Sequence, residues 1–196
     1  RSGRSTADNL YILDKCVKNK LRSTGGKLNT CFVDFKSAFD TVNRYILFET
    51  LQRLQIPREL IDSIRTLYGK TTYIIDTEKF SSHRGLKQGC PLSPVLFALY
   101  IAELEQKLRD NQLGGTVRGQ TKIYSLAFAD DIVLMAERAD DLKDMLRALQ
   151  RFAGAKKLQI NTQKTKIMTF SKGARSSGIR WSVNGISYEE VPEFKY

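Results

Sequence analysis

The sequence has few of the residues that build disulfide frameworks or histidine-rich metal sites. Its 196 residues include three cysteines, Cys16, Cys31 and Cys90, and one histidine, His83. The cysteines are odd in number and widely spaced, which excludes a disulfide framework and a Cys-x-x-Cys metal site. We therefore expect the protein to reside in a reducing, intracellular compartment.

Long apolar runs are also missing. No segment stays apolar over the roughly 20 residues that a membrane-spanning helix needs, and residues 1–6 do not resemble a secretory signal peptide. The sequence therefore predicts no membrane partner. Because the chain lacks an initiator methionine and stops abruptly at residues 194–196, we expect it to be a piece of a longer protein.

Acidic residues are scarce relative to basic ones. The chain has 32 Lys and Arg against 21 Asp and Glu, which gives a net charge of +11. This excess favours an anionic partner, with nucleic acid as the first candidate, and a merely solvated basic surface as the alternative. The hydrophobic fraction of 41% is sufficient for a packed core and excludes a wholly disordered chain.

Helical and strand patterns mix along the chain without strict alternation. Apolar residues at helical spacing predict helices near residues 5–21, 46–54, 58–67, 91–104 and 142–153. Apolar runs predict strands at residues 28–35, 71–75, 79–82, 121–128, 132–136, 165–170, 179–183 and 186–188. No linker divides them, so we expect an α+β domain whose mainly antiparallel sheet lies under helices.

Two groups of aspartates stand at the ends of predicted strands. Asp130 and Asp131 lie between two apolar runs, and Asp34 follows the apolar run of residues 31–33. Clustered carboxylates would provide the hard oxygen ligands that Mg²⁺ prefers, and two such ions can activate a hydroxyl and stabilise leaving pyrophosphate. The alternatives are a solvated turn for the pair and an ordinary strand-end carboxylate for Asp34.

Six segments, in family order, resemble motifs of reverse transcriptases. They are DFKSAFD at residues 34–40 (first catalytic motif), GLKQGCPLSP at 85–94 (second motif), FADD at 128–131 (catalytic box), LQINTQKTK at 158–166 (lysine motif), FKY at 194–196 (start of the primer grip) and RSGRSTAD at 1–8 (a fingers motif). The second motif and the helices that follow Asp40 favour the non-LTR (LINE-type) retrotransposon branch over retroviruses. The chain thus resembles a fragment, comprising part of the fingers and the palm, of a reverse transcriptase from that branch.

The resemblance implies a fold and a reaction. The fold would be a right-hand polymerase palm, with residues 1–30 as part of the fingers, 31–190 as mainly palm and 191–196 as the start of the primer grip. The thumb and any endonuclease would lie elsewhere in the parent polyprotein. In the implied reaction, a DNA primer 3′-hydroxyl attacks the α-phosphate of a dNTP that an RNA template selects, and pyrophosphate leaves.

The resemblance also assigns catalytic residues. Asp34 and Asp130, with the backbone of Phe35, would hold two Mg²⁺ ions, for which Mn²⁺ can substitute, and Asp131 would coordinate less directly. Lys164 would assist pyrophosphate departure as a general acid. Alternation predicts Lys166 on the same face of an extended segment, so it is the alternative lysine, and two solvated lysines are a further alternative.

Other residues would bind substrates by the same resemblance. Phe39 would press on a ribose 2′-hydroxyl and so admit deoxyribose, although a core aromatic is the commoner fate of phenylalanine. The implied nucleotide-binding residues are Phe35, Phe39, Gln88, Arg1 and Arg4, and the implied template or primer contacts are Gly89 and Lys195.

The implied partners are an RNA template, a DNA primer, dNTPs and the rest of the polyprotein, with the oligomeric state left open. A eukaryotic element would act in the nucleus and occur in the cytoplasm as a ribonucleoprotein. A group II intron reverse transcriptase or maturase, or a catalytically dead RNA-binding relic, are the alternatives. A viral RNA-dependent RNA polymerase fits less well, because Phe39 and the Gln88-Gly89 pair favour deoxynucleotides.

Overall fold

The computed structural model describes residues 6–69, 72–75, 78–82, 84–128, 130–173 and 177–194. The helices are α1 (Thr6–Leu21), α2 (Ala38–Thr41), α3 (Arg44–Arg53), α4 (Arg58–Gly69), α5 (Ser93–Ile101), α6 (Glu103–Asp110) and α7 (Ala139–Ala155). The strands are β1 (Lys27–Val33), β2 (Thr72–Ile75), β3 (Glu78–Ser81), β4 (Thr116–Arg118), β5 (Thr121–Ile123), β6 (Ser125–Phe128), β7 (Asp131–Ala136), β8 (Lys166–Ser171), β9 (Ser182–Val183), β10 (Ile186–Ser187) and β11 (Glu189–Glu190).

A five-stranded sheet in the order β11-β8-β1-β7-β6 organises the chain. All of its pairs are antiparallel except the short β11–β8 pair. Strand β1 lies at the centre, where Phe32 is opposite Val133 of β7 and Lys166 of β8. Leu28 and Cys31 have no exposed surface, because both faces of this strand are covered.

The two faces of the sheet pack into separate cores. On one face the larger core includes the apolar stripe of α7, in which Leu142, Leu146 and Leu149 recur at helical spacing and are fully buried. On the other face, α1 contributes Leu13 and Cys16 to a smaller cluster with strand residues of β1, β6 and β7. Because successive side chains of a strand alternate, β1 supplies both cores.

The predicted α+β fold with a mainly antiparallel sheet backed by helices is confirmed. The two strands β2 and β3 pair with each other in antiparallel orientation. The helix expected over residues 91–104 is instead two helices, because helical structure is interrupted at Ala102 between α5 and α6. The strand expected over 28–35 ends at Val33.

The strand expected over residues 121–128 is also two strands, β5 and β6, that meet at Tyr124. The carbonyl of Tyr124 accepts the N–H of Met135 at 3.0 Å, while β5 turns away to pair with β4. Gly115 has a φ of 87° beside this hairpin, a conformation that favours glycine. The hairpin is thus a local feature that apolar periodicity does not reveal.

A buried ion pair joins α3, α6 and the end of α7. Lys156 is only 3% exposed. Its ammonium group lies 2.8 Å from a carboxylate oxygen of Glu103 and donates to the Thr50 hydroxyl at 2.6 Å. Burial lowers the pKa of Lys156, and Glu103 opposes that shift. Glu103 is also 3.2 Å from Arg53, so this network ties the helices that carry the large core.

Across the part of the chain that the structure describes, no helix combines the length and apolar character needed to cross a bilayer.

We predict that Glu103→Ala lowers the free energy of unfolding by about 3–5 kcal/mol, because it leaves the buried Lys156 charge without its partner. Glu105→Ala is the matched control, since Glu105 lies on the same helix in an exposed pair with Arg109; it should cost at most about 1 kcal/mol. Urea denaturation followed by circular dichroism measures both, and equal losses would contradict the role of the buried pair.

Candidate active site

A cavity of about 900 Å³ opens where β1 ends and the β6–β7 turn begins. Its walls come from four sections of chain: residues 34–40, the loop before α5 with the first residues of that helix, the turn that carries Asp130, and the turn that carries Lys164. The predicted site residues that line it are Asp34, Phe35, Phe39, Gln88, Gly89, Asp130 and Lys164. The structure therefore brings together side chains that lie up to 130 positions apart in sequence.

The aspartates are placed by strand register. Val33 pairs with Ile132, so Asp34 emerges from β1 beside Asp131, the first residue of β7, and beside Asp130 in the turn before it. Asp34 and Asp130 line the large cavity, whereas Asp131, with Asp34, lines an adjoining cavity of about 420 Å³. Partial burial raises the pKa of Asp131, and the carboxylates of Asp130 and Asp34 raise it further. Asp131 thus lies close enough to the other two carboxylates to be repelled by both.

The donor set fits a hard divalent cation that is completed by substrate. Within the described ranges, no group of three or more Cys, His, Asp or Glu side chains is arranged to hold a metal by itself. Mg²⁺ is usually bound by one or two carboxylates together with substrate phosphates and water. Asp34 and Asp130, which both line the cavity, can supply those two carboxylates.

Phe35 and Phe39 contribute differently to the cavity wall. The Phe35 side chain is 4% exposed and meets Phe97 edge-on, with ring centroids 6.5 Å apart. The Phe39 ring is half-buried, 5.1 Å from the same Phe97 ring, and also lines the cavity. Phe39 therefore combines a core contact with a position on the cavity wall.

The loop before α5 is fastened to the segment that follows Asp34. The N–H groups of Gly85 and Leu86 donate to the carbonyls of Val42 and Phe39 at 2.8 and 2.9 Å. The amide of Gln88 donates to a carboxylate oxygen of Asp40 at 3.0 Å. These bonds join the two motifs into one wall of the cavity. The contact through Asp40 was not expected from the sequence.

The two candidate lysines are not equivalent. Lys164 lines the large cavity, whereas Lys166 lines only the adjoining one and is ion-paired with Glu189. The expected extended segment with both lysines on one face is wrong, because residues 161–165 form a turn in which Asn161 accepts the N–H groups of Lys164 and Thr165. The geometry favours Lys164 for a role at the cavity.

Sequence reasoning missed several residues of the cavity wall. Lys36, Lys87 and Asn161 line it beside the predicted residues, and so does Cys90. The pKa of the Cys90 thiol is lowered, mainly by a hydrogen bond from the backbone of Leu92. All four lie within or next to the recognised motifs, which is the signal that could have identified them.

Three predicted contacts lie outside the described residues: Arg1, Arg4 and Lys195. Phe194, the described part of the last motif, stacks on Phe32 with ring centroids 4.3 Å apart and lines the smaller cavity. The last motif therefore begins next to Asp34 and Asp131.

Comparison with known proteins gives one family match and several relatives. Residues 1–196 match the family described as reverse transcriptase (RNA-dependent DNA polymerase). The chain is 32% identical to a retrovirus-related Pol polyprotein from the type-1 retrotransposable element R2 of Popillia japonica, over 81% of this chain and 27% of that protein. It is also 32% identical to the corresponding polyprotein of the element R2DM of Drosophila melanogaster, over 81% of this chain and 15% of that protein. The chain thus spans about a quarter or less of the length of these curated relatives.

Solved structures show the same fold at low identity. The chain is similar to telomerase from Candida tropicalis in complex with a TWJ fragment of telomeric RNA, with a TM-score of 0.64 and 15% identity over 95% of this chain and 32% of that one. The corresponding Candida albicans complex gives a TM-score of 0.63 and 12% identity over 93% of this chain and 33% of that one. At such identity the likeness concerns the fold alone.

We predict that Gly85→Ala destabilises the protein more than Gly89→Ala. Both glycines have positive φ, 82° and 77°, which costs a residue with a Cβ about 1–2 kcal/mol. A Cβ at Gly85 would also lie 3.0 Å from the carbonyl oxygen of Asp40, whereas one at Gly89 would meet no described atom within 4 Å. Thermal unfolding of the two variants tests this, and equal midpoints would contradict the close packing of the two motifs.

Proposed function

The chain belongs to the reverse transcriptase family, and from this premise we propose that it carries the RNA-directed DNA polymerase site of a non-LTR retrotransposon polyprotein. The resemblance carried by the motifs and the predicted palm fold are confirmed by the family match and the shared fold. The observation that carries the proposal is the cavity in which Asp34, Asp130, Gln88 and Lys164 meet.

The cavity suits a nucleoside triphosphate in size and charge. Its volume of about 900 Å³ lies in the range of small-molecule sites. The cations of Lys36, Lys87 and Lys164 on its wall would attract the triphosphate, while the net charge of +11 favours the template and primer backbones. Lys164 is the cation we assign to the leaving pyrophosphate, whose developing charge it would stabilise and to which it would give a proton.

Reverse transcriptases use divalent metal ions, and we propose Mg²⁺, with Mn²⁺ as a substitute, held by Asp34, Asp130 and the backbone of Phe35. When bound, such ions neutralise charge at the reacting phosphate and favour ionisation of the attacking primer hydroxyl. Asp34 directly follows β1 and Asp130 directly precedes β7, so the register of this strand pair sets where the main chain of each residue lies. Asp131, at the adjoining cavity, would add negative charge without lying on the same wall.

Substrate choice would depend on the part of the cavity wall that Phe39, Gln88 and Gly89 form. The Phe39 ring, supported by Phe97, would exclude a 2′-hydroxyl and so favour dNTPs over rNTPs. Gln88 and Gly89 would contact the nascent base pair and the template. A Cβ added at Gly89 would meet nothing within 4 Å among the described residues, so a nucleic-acid strand can approach this backbone closely.

The relatives support the retrotransposon setting over the intron alternative, because they are Pol polyproteins of retrotransposable elements. We extend the proposal to an RNA template, a DNA primer and the remainder of such a polyprotein as partners. Action in the nucleus, with a cytoplasmic ribonucleoprotein form, is part of the same proposal.

We predict that Asp130→Asn abolishes dNTP incorporation while RNA binding is retained. The change removes a carboxylate charge from the cavity and keeps the side-chain shape, so the loss should reach at least about 10²-fold, the effect of one lost electrostatic stabiliser. The measurement is primer extension on an RNA template with dNTPs and Mg²⁺, in the full parent reading frame.

The matched control is Asp140→Asn, since Asp140 is an exposed aspartate in the first turn of α7. It should leave incorporation unchanged. Equal activity of Asp130→Asn and the wild type would refute the assignment, and RNA binding without incorporation by either protein would favour an RNA-binding relic.

A further inference from the structure

The main chain of Asp34 is held by a segment that is distant in sequence. Its N–H donates to the hydroxyl oxygen of Thr165 at 3.1 Å. Its carbonyl accepts the N–H of Asn161 at 2.8 Å, and the Thr165 hydroxyl lies 3.5 Å from that same carbonyl. Both main-chain polar groups of this candidate catalytic residue are therefore bound by residues 161–165.

Thr165 stands where regular strand pairing ends. The last pair of the β1–β8 ladder joins Phe32 to Lys166. Beyond it the chain turns, and the N–H of Thr165 donates to the carbonyl of Asn161 at 2.8 Å instead of pairing with β1. The Thr165 hydroxyl takes the place of the missing ladder carbonyl, so the partly buried N–H of Asp34 keeps a partner.

The same turn positions Lys164. Its N–H donates to the carbonyl of Asn161 at 3.2 Å, and its side chain lines the large cavity with those of Asp34 and Asn161. Thr165 itself has no exposed surface and does not line the cavity. Any influence of Thr165 on a bound substrate must therefore pass through its neighbours.

We propose that Thr165 is a positioning residue of the polymerase reaction: its hydroxyl fixes the main chain at Asp34 and thereby sets the Asp34 carboxylate against Asp130 and Lys164. This inference rests on the proposed function of the cavity. Its chemical basis is that misplacing a catalytic group by about 1 Å can reduce a rate by about 10²-fold.

The decisive variants are Thr165→Val and Thr165→Ser in the full parent reading frame. Valine keeps the shape of threonine and removes the hydrogen bond, whereas serine keeps the hydroxyl. In primer extension, Thr165→Val should lose about tenfold or more in kcat with little change in the KM for dNTP, because the misplaced group acts on the chemical step. Thr165→Ser should recover most of the wild-type kcat.

Thr30→Val is the matched control. Thr30 is a fully buried threonine of β1 whose hydroxyl donates to the carbonyl of Met168 at 2.9 Å, in the same β1–β8 pair but away from the cavity. It should keep kcat even where its thermal stability falls as far as that of Thr165→Val. An equal loss of kcat in both valine variants, or wild-type kcat in Thr165→Val, would overturn the proposal.

Amide hydrogen exchange at Asp34 gives a readout that does not depend on activity. We expect this amide to be protected in the wild type and in Thr165→Ser and to exchange about tenfold faster or more in Thr165→Val. Fast exchange in the wild type would overturn the proposal even if the valine variant failed to fold. Absence of incorporation by the wild type would overturn the proposed function and the positioning role with it, whereas incorporation that is insensitive to Thr165→Val overturns the positioning role alone.

Discussion

Strand β1 is hydrogen-bonded along both edges, to β7 and to β8, and the candidate site depends on this double pairing. A strand paired on two sides cannot slip by one residue without turning its apolar side chains to the wrong face. Both faces of β1 are buried, so a slip would exchange side chains between the two cores and disturb the packing of both. The register therefore delivers Asp34 to one fixed point, beside the aspartates of the β6–β7 turn on one side and the turn before β8 on the other.

Rigid placement of carboxylates has an electrostatic consequence. Asp34 and Asp130 both raise the pKa of Asp131, which means that a negative charge on Asp131 is unfavourable beside theirs. Two features reduce the electrostatic cost of these carboxylates in the folded chain. Cationic side chains line the same cavity, namely Lys36, Lys87 and Lys164. In addition, cations or bound substrate ions can occupy it. Carboxylates held in a fixed geometry, with cationic side chains beside them, are together what a site needs to bind a divalent cation with a triphosphate.

The sequence predicts what is periodic or encoded in motifs, and it misses what depends on contacts between segments. The stripe of Leu142, Leu146 and Leu149 predicts α7 because burial of one helix face follows from spacing alone. The break of one expected strand at Tyr124 follows from a shift of pairing at the sheet edge. The turn at residues 161–165 is likewise set by hydrogen bonds to Asp34, which lies more than 120 positions earlier, and no local pattern reports such a bond.

The walls of the cavity show how local motifs become one site. Residues 34–42 are bound to the loop at 85–88 by two main-chain bonds and the Gln88–Asp40 contact, and to residues 159–165 by bonds at Asp34 and Lys36. Each motif alone would be a flexible loop at the end of a strand or helix, and its side chains would lose entropy on ordering around a substrate. Because the motifs hold one another before any substrate arrives, most of that entropy is lost on folding. Binding energy is then available for the reacting groups, which is the condition that the proposed polymerase site requires in order to be both open and ordered.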